Sequence, residues 1–362
     1  MDVFFYGAGK IGLQAINVFK QYSGGDLFFR GYIETKKTVR QKNGYKIWDM
    51  NEISRDAIVV ITIANVNIVV DVYDRLREYG FKRIYFYYNF GYTNEVGTDF
   101  LKDYCQDCSA WGMEVLPHVE IHVSDYCNLN CRGCAHYSPI FEHHLPDTDS
   151  RIHDLQLLKE HVSHVVRLYL LGGEPFLNRD IETYICKARE LFPNTILSIV
   201  TNGLLIPQID HSILRTIYEN DVFIIISEYA PTKRFIDEIK AKLNANHVKY
   251  EIRTNEGKQI FNKPLTLELD SKLTKLCISN GCVNVYNGNI SRCPNLMYIN
   301  QFNKVFGTEL PNEGIYPLDG TYSGKELKSM MKQEVLLCQY CVENPIEWGC
   351  CGNKPQLSDF VE

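Results

Sequence analysis

The first 97 residues alternate between short apolar runs and stretches whose apolar side chains recur at helical spacing. The apolar runs are short and rich in branched or aromatic residues, which is typical of buried strands. They lie at Val3–Tyr6, Phe28–Ile33, Ala57–Ile63 and Ile84–Tyr88. A helical pattern at Val69–Tyr79 ends at Gly80. This alternation predicts a small doubly wound, Rossmann-like parallel sheet.

A second series of strands begins near residue 117. These strands are predicted at His118–Val123, Val165–Leu171, Ile196–Val200, Val222–Ile226 and Lys249–Arg253. Helical stretches such as Ile181–Leu191 and Phe235–Leu243 separate them. Polar or glycine-rich residues follow several strand ends, where (β/α) barrels place their chemistry. The pattern therefore predicts a partial (β/α)6 barrel.

From about Cys277 the pattern changes, because Gly, Asn, Pro, Tyr and Cys dominate and regular periodicity is lost until Lys325–Leu337. Such a segment builds little apolar core, and small cysteine-rich segments are usually stapled by metal. The α/β chain is thus divided into four parts: a Rossmann-like nucleotide-binding-type domain at 1–97, a linker at 98–116, the partial barrel at 117–275 and an irregular cysteine-rich domain at 276–362.

Composition narrows the class of protein. Of the 362 residues, 45% are hydrophobic and 23% are charged, which is typical of soluble globular chains. The net charge of −6 is unlike the basic surplus of nucleic-acid-binding proteins. No apolar run has membrane-spanning length, and the first residues lack the basic region of a signal peptide. We expect a cytoplasmic protein without nucleic-acid or membrane partners.

The 13 cysteines are the unusual part of the composition, and all but Cys186 fall in short groups. Disulfides are disfavoured in a reducing compartment, so this clustering favours metal or cluster ligation. Buried cysteines that act as small hydrophobic residues are the alternative.

Cys127, Cys131 and Cys134 form a Cys-x3-Cys-x2-Cys triplet directly after a predicted strand. Thiolates are the protein ligands of iron–sulfur clusters, and three of them leave one iron of a [4Fe-4S] cluster open. Zinc is the alternative, and it would normally require a fourth ligand. Three histidines follow closely: His136, His143 and His144.

Two further motifs, Gly172-Gly173-Glu174-Pro175 and Thr201-Asn202-Gly203, follow the next two strands. Over about residues 117–255, this order of motifs resembles the radical S-adenosylmethionine (SAM) superfamily. The resemblance implies that the triplet holds a [4Fe-4S] cluster whose open iron binds SAM. It also implies SAM contacts from the glycine-rich backbone, where glycine permits a close approach. The implied SAM-binding residues are Gly172, Gly173, Glu174, Pro175, Asn202 and Ser227.

One position departs from the family pattern. The family usually has an aromatic residue just before the third cysteine, near the adenine, whereas this chain has Gly133. We therefore expect the adenine contact to come from another residue, and His136 and Tyr137 are the candidates.

The cysteine-rich domain resembles the SPASM domain and its shorter relative, the twitch domain. The resemblance is carried by Cys277-x10-Gly288-x4-Cys293 and by Cys338-x2-Cys341. In the twitch form, the four cysteines of this pattern would ligate one auxiliary [4Fe-4S] cluster. A structural zinc ribbon on Cys338-x2-Cys341 is the alternative.

A second auxiliary cluster would need cysteines outside that pattern. Cys282 with Cys350 or Cys351 could supply them, and so could Cys105 with Cys108. Because only two cysteines follow Cys341, we expect one auxiliary cluster.

The loop Gly7-x-Gly9-x-x-Gly12 lies between a predicted strand and a helix, and Glu34 ends the next strand. This is the context of a dinucleotide-binding fingerprint, with a helix N-terminus available for phosphate. The domain is about half the size of a two-part Rossmann fold. It resembles the small nucleotide-sugar-binding domains found ahead of some sugar-modifying enzymes. A full NAD site and a domain that only docks a partner are the alternatives.

The family resemblance implies a reaction. A flavodoxin- or ferredoxin-type reductant would deliver one electron, SAM would split, and the 5′-deoxyadenosyl radical would abstract hydrogen from substrate. The first hypothesis is oxidation or epimerisation of a sugar, in particular a nucleotide-linked sugar in glycan or natural-product biosynthesis. For epimerisation, the candidate hydrogen donors are Cys282, Cys350 and Cys351.

Two other hypotheses remain open. One is a radical SAM maturase that modifies a ribosomal peptide or protein, although no winged peptide-binding module is recognised. The other is a non-enzymatic iron–sulfur or zinc scaffold.

Overall fold

The computed structural model describes residues 1–36, 38–88, 97–142, 145–254, 260–269, 277 and 281–362. His143 and His144 lie outside these residues. The described chain forms two compact units, Met1–Pro117 and His118–Glu362.

The first unit is built on one seven-stranded sheet. Its elements are β1 (Asp2–Tyr6), α1 (Lys10–Tyr22), β2 (Phe28–Ile33), β3 (Gln41–Lys42), β4 (Tyr45–Trp48), β5 (Ile58–Ile61), α2 (Val66–Glu78), β6 (Arg83–Tyr87), α3 (Phe100–Tyr104) and β7 (Cys105–Asp107). The strand order is β3-β4-β2-β1-β5-β6-β7, and β4, β2, β1, β5 and β6 are parallel. The four strands expected from the apolar runs are therefore adjacent.

The β3–β4 hairpin was not predicted, although the sequence contains a signal for it. Asn43 and Gly44 both have positive φ, at 51° and 81°. An Asn-Gly pair of this kind is the preferred two-residue turn of a β-hairpin.

Residues 98–116, assigned above to a linker, are folded into the first unit. Strand β7 pairs antiparallel with β6, and Asp99 caps α3 by accepting a hydrogen bond from the Lys102 amide. Phe100 is fully buried and packs against Phe5 and Phe19. This aromatic burial explains why the segment joins the core instead of remaining a solvated linker.

Alternating strands and helices follow, of which the first strand begins in the last three residues of the first unit and the others belong to the second unit. They are β8 (Val115–Ser124), α4 (Thr148–His161), β9 (His164–Gly172), α5 (Ile181–Leu191), β10 (Ile196–Thr201), α6 (His211–Glu219), β11 (Phe223–Ser227), α7 (Ala230–Lys233), α8 (Ile236–Ala245), β12 (Tyr250–Arg253) and β13 (Ile260–Leu265). The strands β9 to β12 are parallel in sequence order.

The cysteine-rich part contains more regular structure than its composition suggests. Its elements are β14 (Val283–Tyr286), β15 (Asn289–Ser291), α9 (Pro294–Met297), α10 (Ile299–Phe306), β16 (Ile315–Pro317), α11 (Gly324–Met330) and β17 (Cys341–Glu347). The full sheet order is β12-β11-β10-β9-β8-β14-β15-β16, and β14 is parallel to β8. A separate ribbon pairs β13 with β17.

The predicted class, α/β with mainly parallel sheets, is confirmed. The cysteine-rich part is continuous with the sheet before it, because β14 pairs directly with β8. The predicted boundary near residue 275 and the closure into a partial barrel stay predictions. Among the described residues, no helix is long and apolar enough to span a bilayer.

Candidate functional site

The cysteine triplet lies in the loop that follows β8. Burial raises the pKa of the Cys127 thiol to about 12, and it also raises the pKa of Cys131 and Cys134. Each of these thiols also lies close enough to another for their charges to repel, which raises the pKa of Cys127 and Cys131 further. All 13 cysteines are free of disulfides. A buried group of thiols is costly to ionise unless a metal supplies positive charge.

The glycine-rich motif lies directly against the start of this loop. The Gly173 amide donates to the Ser124 carbonyl at 2.7 Å, and the Glu174 amide donates to the Tyr126 carbonyl at 3.0 Å. A Cβ on Gly172 would lie 1.9 Å from the Ser124 oxygen, and one on Gly173 would lie 1.9 Å from the Tyr126 oxygen. Both glycines are therefore required by packing against the chain itself. Their predicted contact with SAM stays a prediction.

Glu174 joins the ends of two strands. Its carboxylate accepts hydrogen bonds from the Thr201 hydroxyl at 2.7 Å, the Asn202 amide at 2.9 Å and the Phe176 amide at 3.2 Å. Burial raises its pKa to about 7, and these donors oppose the rise. The fully buried carboxylate thus positions the strand ends, and Pro175 begins the buried turn that follows.

Asn202 connects this region to the cysteine loop. Its side-chain amide donates to the Asn128 side chain at 2.7 Å and approaches the Cys127 sulfur at 3.6 Å. Ser227 ends β11, two residues before Tyr229. Burial raises the pKa of Tyr229, and the nearby Cys131 raises it further. The three predicted motifs and the end of β11 are therefore close together.

A segment near the end of the chain, residues 348–360, packs on the cysteine loop; we call it the closing segment. The Trp348 indole donates to the Cys131 sulfur at 3.2 Å. Backbone hydrogen bonds join Arg132 to Gly349, Gly133 to Asp359 and Cys351 to Asn130. No pattern in the sequence indicated these contacts, because the partners are more than 200 residues apart.

The closing segment accounts for Gly133. This residue has a φ of +69°, a conformation that favours glycine, and its amide donates to the Asp359 carbonyl at 2.8 Å. The two residues expected near the adenine, His136 and Tyr137, both contact other residues of the protein. Tyr137 is buried against Phe302, and His136 hydrogen bonds to a carboxylate described below.

The four cysteines predicted to bind an auxiliary cluster lie close to one another. Burial raises the pKa of Cys293 to about 12, and Cys341, Cys277 and Cys338 add to the rise. Burial, Cys338 and Cys277 raise the pKa of Cys341 to about 12 as well. Cys293 is buried, Cys338 and Cys341 are partly buried and Cys277 is exposed, and a metal cluster would stabilise such a group of thiols. Their role as auxiliary ligands stays a prediction.

The remaining cysteines are dispersed. Cys350 forms an isolated β-bridge with Cys131, and Cys351 lies near Cys134. Cys105 and Cys108 are buried in the first unit, and burial raises the pKa of both thiols well above its usual range. Cys105 belongs to the hydrophobic core of that unit, which is the environment of a structural thiol.

The glycine loop of the first unit is partly explained by packing. Gly7 has a φ of +113°, and a Cβ on Gly12 would lie 2.2 Å from the Gly7 oxygen. A Cβ on Gly9, the first residue before α1, would meet nothing within 4 Å. Glu34 accepts from Lys42 at 3.1 Å, and Asn43 donates to the Ala8 carbonyl at 3.2 Å. Open space therefore remains beside Gly9, and nucleotide binding there stays a prediction.

Sequence reasoning missed a buried polar group beside β8. It consists of His118, Glu120, His136, Cys282 and Asn284, and we call it the interior polar cluster. Glu120 accepts hydrogen bonds from His118 Nε2 at 2.9 Å, from His136 Nε2 at 3.1 Å and from Asn284 Nδ2 at 3.0 Å. Burial opposes its charge, but the two histidines outweigh burial and hold the pKa of Glu120 well below its usual range.

Further polar groups surround this cluster. The Tyr169 ring packs edge-on against His118 at 4.3 Å between centroids, and the Arg253 guanidinium donates to the Tyr169 hydroxyl at 3.3 Å. His122 stacks on Tyr298 at 4.3 Å. A signal was present in the sequence, because three polar residues alternate along β8 and so share one face. They are His118, Glu120 and His122.

Comparison with known families agrees with this arrangement of motifs. Residues 121–225, which run from β8 to β11, match the family model described as the radical SAM superfamily. This part of the chain is therefore a radical SAM domain. Membership in this superfamily implies a [4Fe-4S] cluster and SAM as cofactors.

Individual relatives are distant from this radical SAM chain. It is 26% identical over 152 residues to GTP 3′,8-cyclase of Clostridium acetobutylicum, covering 38% of this chain and 47% of the cyclase. The chain thus spans about half the length of this curated relative.

Solved structures of other proteins resemble part of this chain. BtrN in complex with AdoMet and 2-DOIA is 16% identical, covers 62% of this chain and 92% of BtrN, and has a TM-score of 0.37. SuiB of Streptococcus suis bound to the precursor peptide SuiA is 20% identical, covers 38% of this chain and 33% of SuiB, and has a TM-score of 0.32. Overlaps of this kind do not assign a substrate.

The residues of this radical SAM domain fit the implied cofactors. In one loop, Cys131 is buried and Cys127 and Cys134 are partly buried, and three thiolates are a suitable donor set for a cluster with one open iron. The Asn202 amide beside Cys127 and the Trp348 indole beside Cys131 would donate hydrogen bonds to cluster-ligating sulfurs. Such hydrogen bonds are among the features that set cluster potentials.

Proposed function

We propose that this radical SAM enzyme oxidises a carbinol carbon of a sugar, in particular a nucleotide-linked sugar, to a carbonyl. The proposal includes a partial radical SAM barrel, an auxiliary cluster on Cys277, Cys293, Cys338 and Cys341, and a nucleotide site at the glycine loop. The observation that carries it is the interior polar cluster. A buried carboxylate flanked by two imidazoles and a side-chain amide is suited to binding hydroxyl groups.

When bound, the cofactors supply a 5′-deoxyadenosyl radical for hydrogen abstraction and an acceptor for the second electron. The side chains of the interior polar cluster have three tasks. They bind the carbinol hydroxyl, hold the reacting carbon in one orientation and accept the hydroxyl proton as the carbonyl forms. The His118–Glu120 pair is the acceptor, because its nitrogen and oxygen lie 2.9 Å apart and can share an added proton. Both residues are buried, so this proton acceptor is largely shielded from solvent.

Epimerisation is the second candidate, because the thiol of Cys282 belongs to the interior polar cluster and could return a hydrogen atom. The other two candidate donors are placed differently. Cys350 and Cys351 lie beside the cysteine loop instead. Cys282 is therefore the residue on which epimerisation depends.

The cofactor assignment is tested first. Anaerobically purified protein should contain about eight irons per chain, four in each of two clusters. Replacing Cys127, Cys131 and Cys134 together with Ala should remove about four irons and abolish 5′-deoxyadenosine formation under dithionite. Persistence of SAM cleavage in this variant would contradict the assignment.

The reaction type is tested with sugars and nucleotide sugars deuterated at the target carbon, in ordinary water. Oxidation gives deuterated 5′-deoxyadenosine and a carbonyl product that has lost two hydrogens. Glu120→Gln should lower this turnover at least tenfold while SAM cleavage without substrate persists; Glu219→Gln, on an exposed helix face, is the matched control. Protium at the target carbon of a stereoisomer would establish epimerisation instead, and turnover only with peptides would contradict the sugar assignment.

A further inference from the structure

We propose that His118, Glu120 and Cys282 form a binding site for one divalent metal ion, zinc, beside the substrate. The inference rests on the carbinol oxidation proposed above and assigns these three residues a Lewis-acid role in it. It concerns neither the cysteine loop nor the four cysteines assigned to the auxiliary cluster.

The positions of the three donor atoms carry the proposal. One ligand atom from each residue, a ring nitrogen, a carboxylate oxygen and a sulfur, lies within 4.8 Å of the other two. Strand pairing brings them together, because Val283 of β14 pairs with Val119 of β8 and Asn284 pairs with Glu120. Cys282 directly precedes this pairing, so it is placed beside His118.

The residues around these donors would orient them. One oxygen of Glu120, Oε2, is held by His136 at 3.1 Å and by Asn284 at 3.0 Å. The other oxygen, Oε1, faces Nε2 of His118, and a metal ion between the two atoms would replace their hydrogen bond. Metal-ligating carboxylates are typically held by such outer hydrogen bonds. The Tyr169 ring packs against the His118 ring and restricts its rotation.

Charge and ligand type favour zinc. The thiolate of the partly buried Cys282 and the buried carboxylate of Glu120 would carry two negative charges, and a divalent ion would neutralise both. Mixed nitrogen, oxygen and sulfur ligation suits zinc, whereas calcium and magnesium prefer oxygen alone. Three protein ligands also leave the fourth position of a tetrahedral site open, as in catalytic zinc sites.

The open position would bind the carbinol oxygen. With His118 and Glu120 bound to zinc, the metal would replace this pair in promoting loss of the hydroxyl proton. Zinc would lower the pKa of the hydroxyl, so that its proton leaves with the water that the substrate displaces from the open position, before the carbon loses its hydrogen atom. The substrate then gives one hydrogen atom to the 5′-deoxyadenosyl radical and one electron to the auxiliary iron–sulfur cluster, and a carbonyl remains. A zinc-bound thiolate has no hydrogen to return, so zinc binding would also exclude Cys282 as the donor for epimerisation.

The test uses the anaerobically purified holoenzyme, equilibrated with zinc and then dialysed. Elemental analysis should find one zinc per chain besides the iron. X-ray absorption at the zinc edge reports on zinc alone, even when iron clusters are present. It should show one sulfur at about 2.3 Å and nitrogen or oxygen at about 2.0–2.2 Å.

Two variants and a control complete the design. Cys282→Ser and His118→Gln should each lower bound zinc at least tenfold, with iron content and the far-ultraviolet circular dichroism spectrum retained as evidence of folding. Cys186→Ser, at an exposed cysteine outside both cysteine groups, should keep one zinc. Less than 0.1 zinc in the unmodified protein, or a shell of four sulfurs, would overturn the inference.

The outcomes separate this inference from the proposed function. Carbonyl product without bound zinc would refute the metal site and leave carbinol oxidation intact. Zinc with the expected ligands but no oxidation of any sugar would support the site and refute the proposed reaction.

Discussion

At the scale of single residues, the glycine-rich motif shows how little space surrounds the cysteine loop. Gly173→Ala would place a Cβ 1.9 Å from the Tyr126 oxygen and 2.7 Å from the Cys127 nitrogen. These backbone atoms cannot move without the chain to which they belong, so the loop that contains Cys127 would have to shift. We expect uncoupled 5′-deoxyadenosine formation to fall at least tenfold. Gly352→Ala is the control, since its Cβ would meet nothing within 4 Å, and equal rates for the two variants would contradict this account.

A buried histidine makes stability depend on pH. Burial, with a smaller contribution from Lys159, lowers the pKa of His164 to about 3. The unfolded chain therefore binds a proton near pH 6.5 that the folded chain does not, so stability is lost as pH falls below about 6.5. Between pH 7.5 and 5.0 this single group should cost about 2 kcal/mol.

The measurement compares His164→Gln with the unmodified protein. The His164 contribution should lower the melting temperature of the unmodified protein between pH 7.5 and 5.0. The variant lacks this contribution, so its decrease in melting temperature over the same interval should be roughly 4–8 °C smaller. His211→Gln, at an exposed helix start, is the control and should follow the unmodified protein. Parallel pH profiles for His164→Gln and the unmodified protein would show that folding does not lower the pKa of His164.

The positions of two motifs after strand ends could be predicted, because each motif depends on local spacing, whereas their roles stay predictions. The Cys127–Cys134 triplet and the glycine-rich motif are each contiguous, so their proximity to a strand end could be read from the sequence. Trp348 and Glu120 could not be found in this way. Trp348 hydrogen bonds to Cys131, which lies 217 positions away in the sequence, and Glu120 hydrogen bonds to Asn284, which lies 164 positions away. Only the folded chain brings these partners together.

At the scale of elements, α4 is fixed to the turn between β14 and β15 by one buried carboxylate. Asp154 accepts hydrogen bonds from the Gly288 amide at 2.6 Å, the Asn287 amide at 3.0 Å and the Arg151 guanidinium at 3.0 Å. Asn287 and Gly288 have positive φ, which explains the glycine of the cysteine-rich pattern. The carboxylate thus determines where the strand that leads to Cys293 begins.

Removing this carboxylate should be costly. Asp154→Ala would leave the buried Arg151 without its carboxylate partner, and such losses cost about 3–5 kcal/mol. The melting temperature should fall by roughly 6–20 °C. Asp149→Ala, at an exposed site in the first turn of the same helix, should change it little. A decrease no larger than that of Asp149→Ala would refute the assigned role.

Helices and strands were predicted best where one regular hydrophobic pattern extends over the whole element. Phe28–Ile33 and Ile181–Leu191 have the predicted bounds, and most other strands differ by one or two residues at an end. The strands of the cysteine-rich part were missed because β15 and β16 have only three residues each. Strands this short contain too few alternations to produce a period, and their neighbours determine them instead.

At the scale of the whole molecule, the two compact units have different proposed tasks, nucleotide binding in the first unit and the radical reaction in the second. Gly9→Asp would place a carboxylate at the N-terminus of α1, where it would repel a pyrophosphate. We expect iron content and uncoupled SAM cleavage to be unchanged, and affinity for a nucleotide sugar to fall at least tenfold. Calorimetry with nucleotide sugars and with NAD measures the effect.

A second glycine of the first unit provides the matched comparison. Gly25→Asp also introduces a carboxylate into open space but lies away from the glycine loop, so binding should be unaffected. If none of these nucleotides binds the unmodified protein, the first unit has only the docking role considered for it.

The closing segment has a consequence for how the enzyme is made. Trp348 follows Cys131 by 217 positions, so at roughly 5–20 residues per second the ribosome synthesises it about 10–40 s later. During that interval, the backbone groups of Asn130, Arg132 and Gly133 lack their final partners. Iron–sulfur assembly factors would therefore meet an unfinished loop on a growing chain, and stable loading should wait until translation passes residue 360. A ribosome-bound chain stalled before residue 348 should retain no cluster.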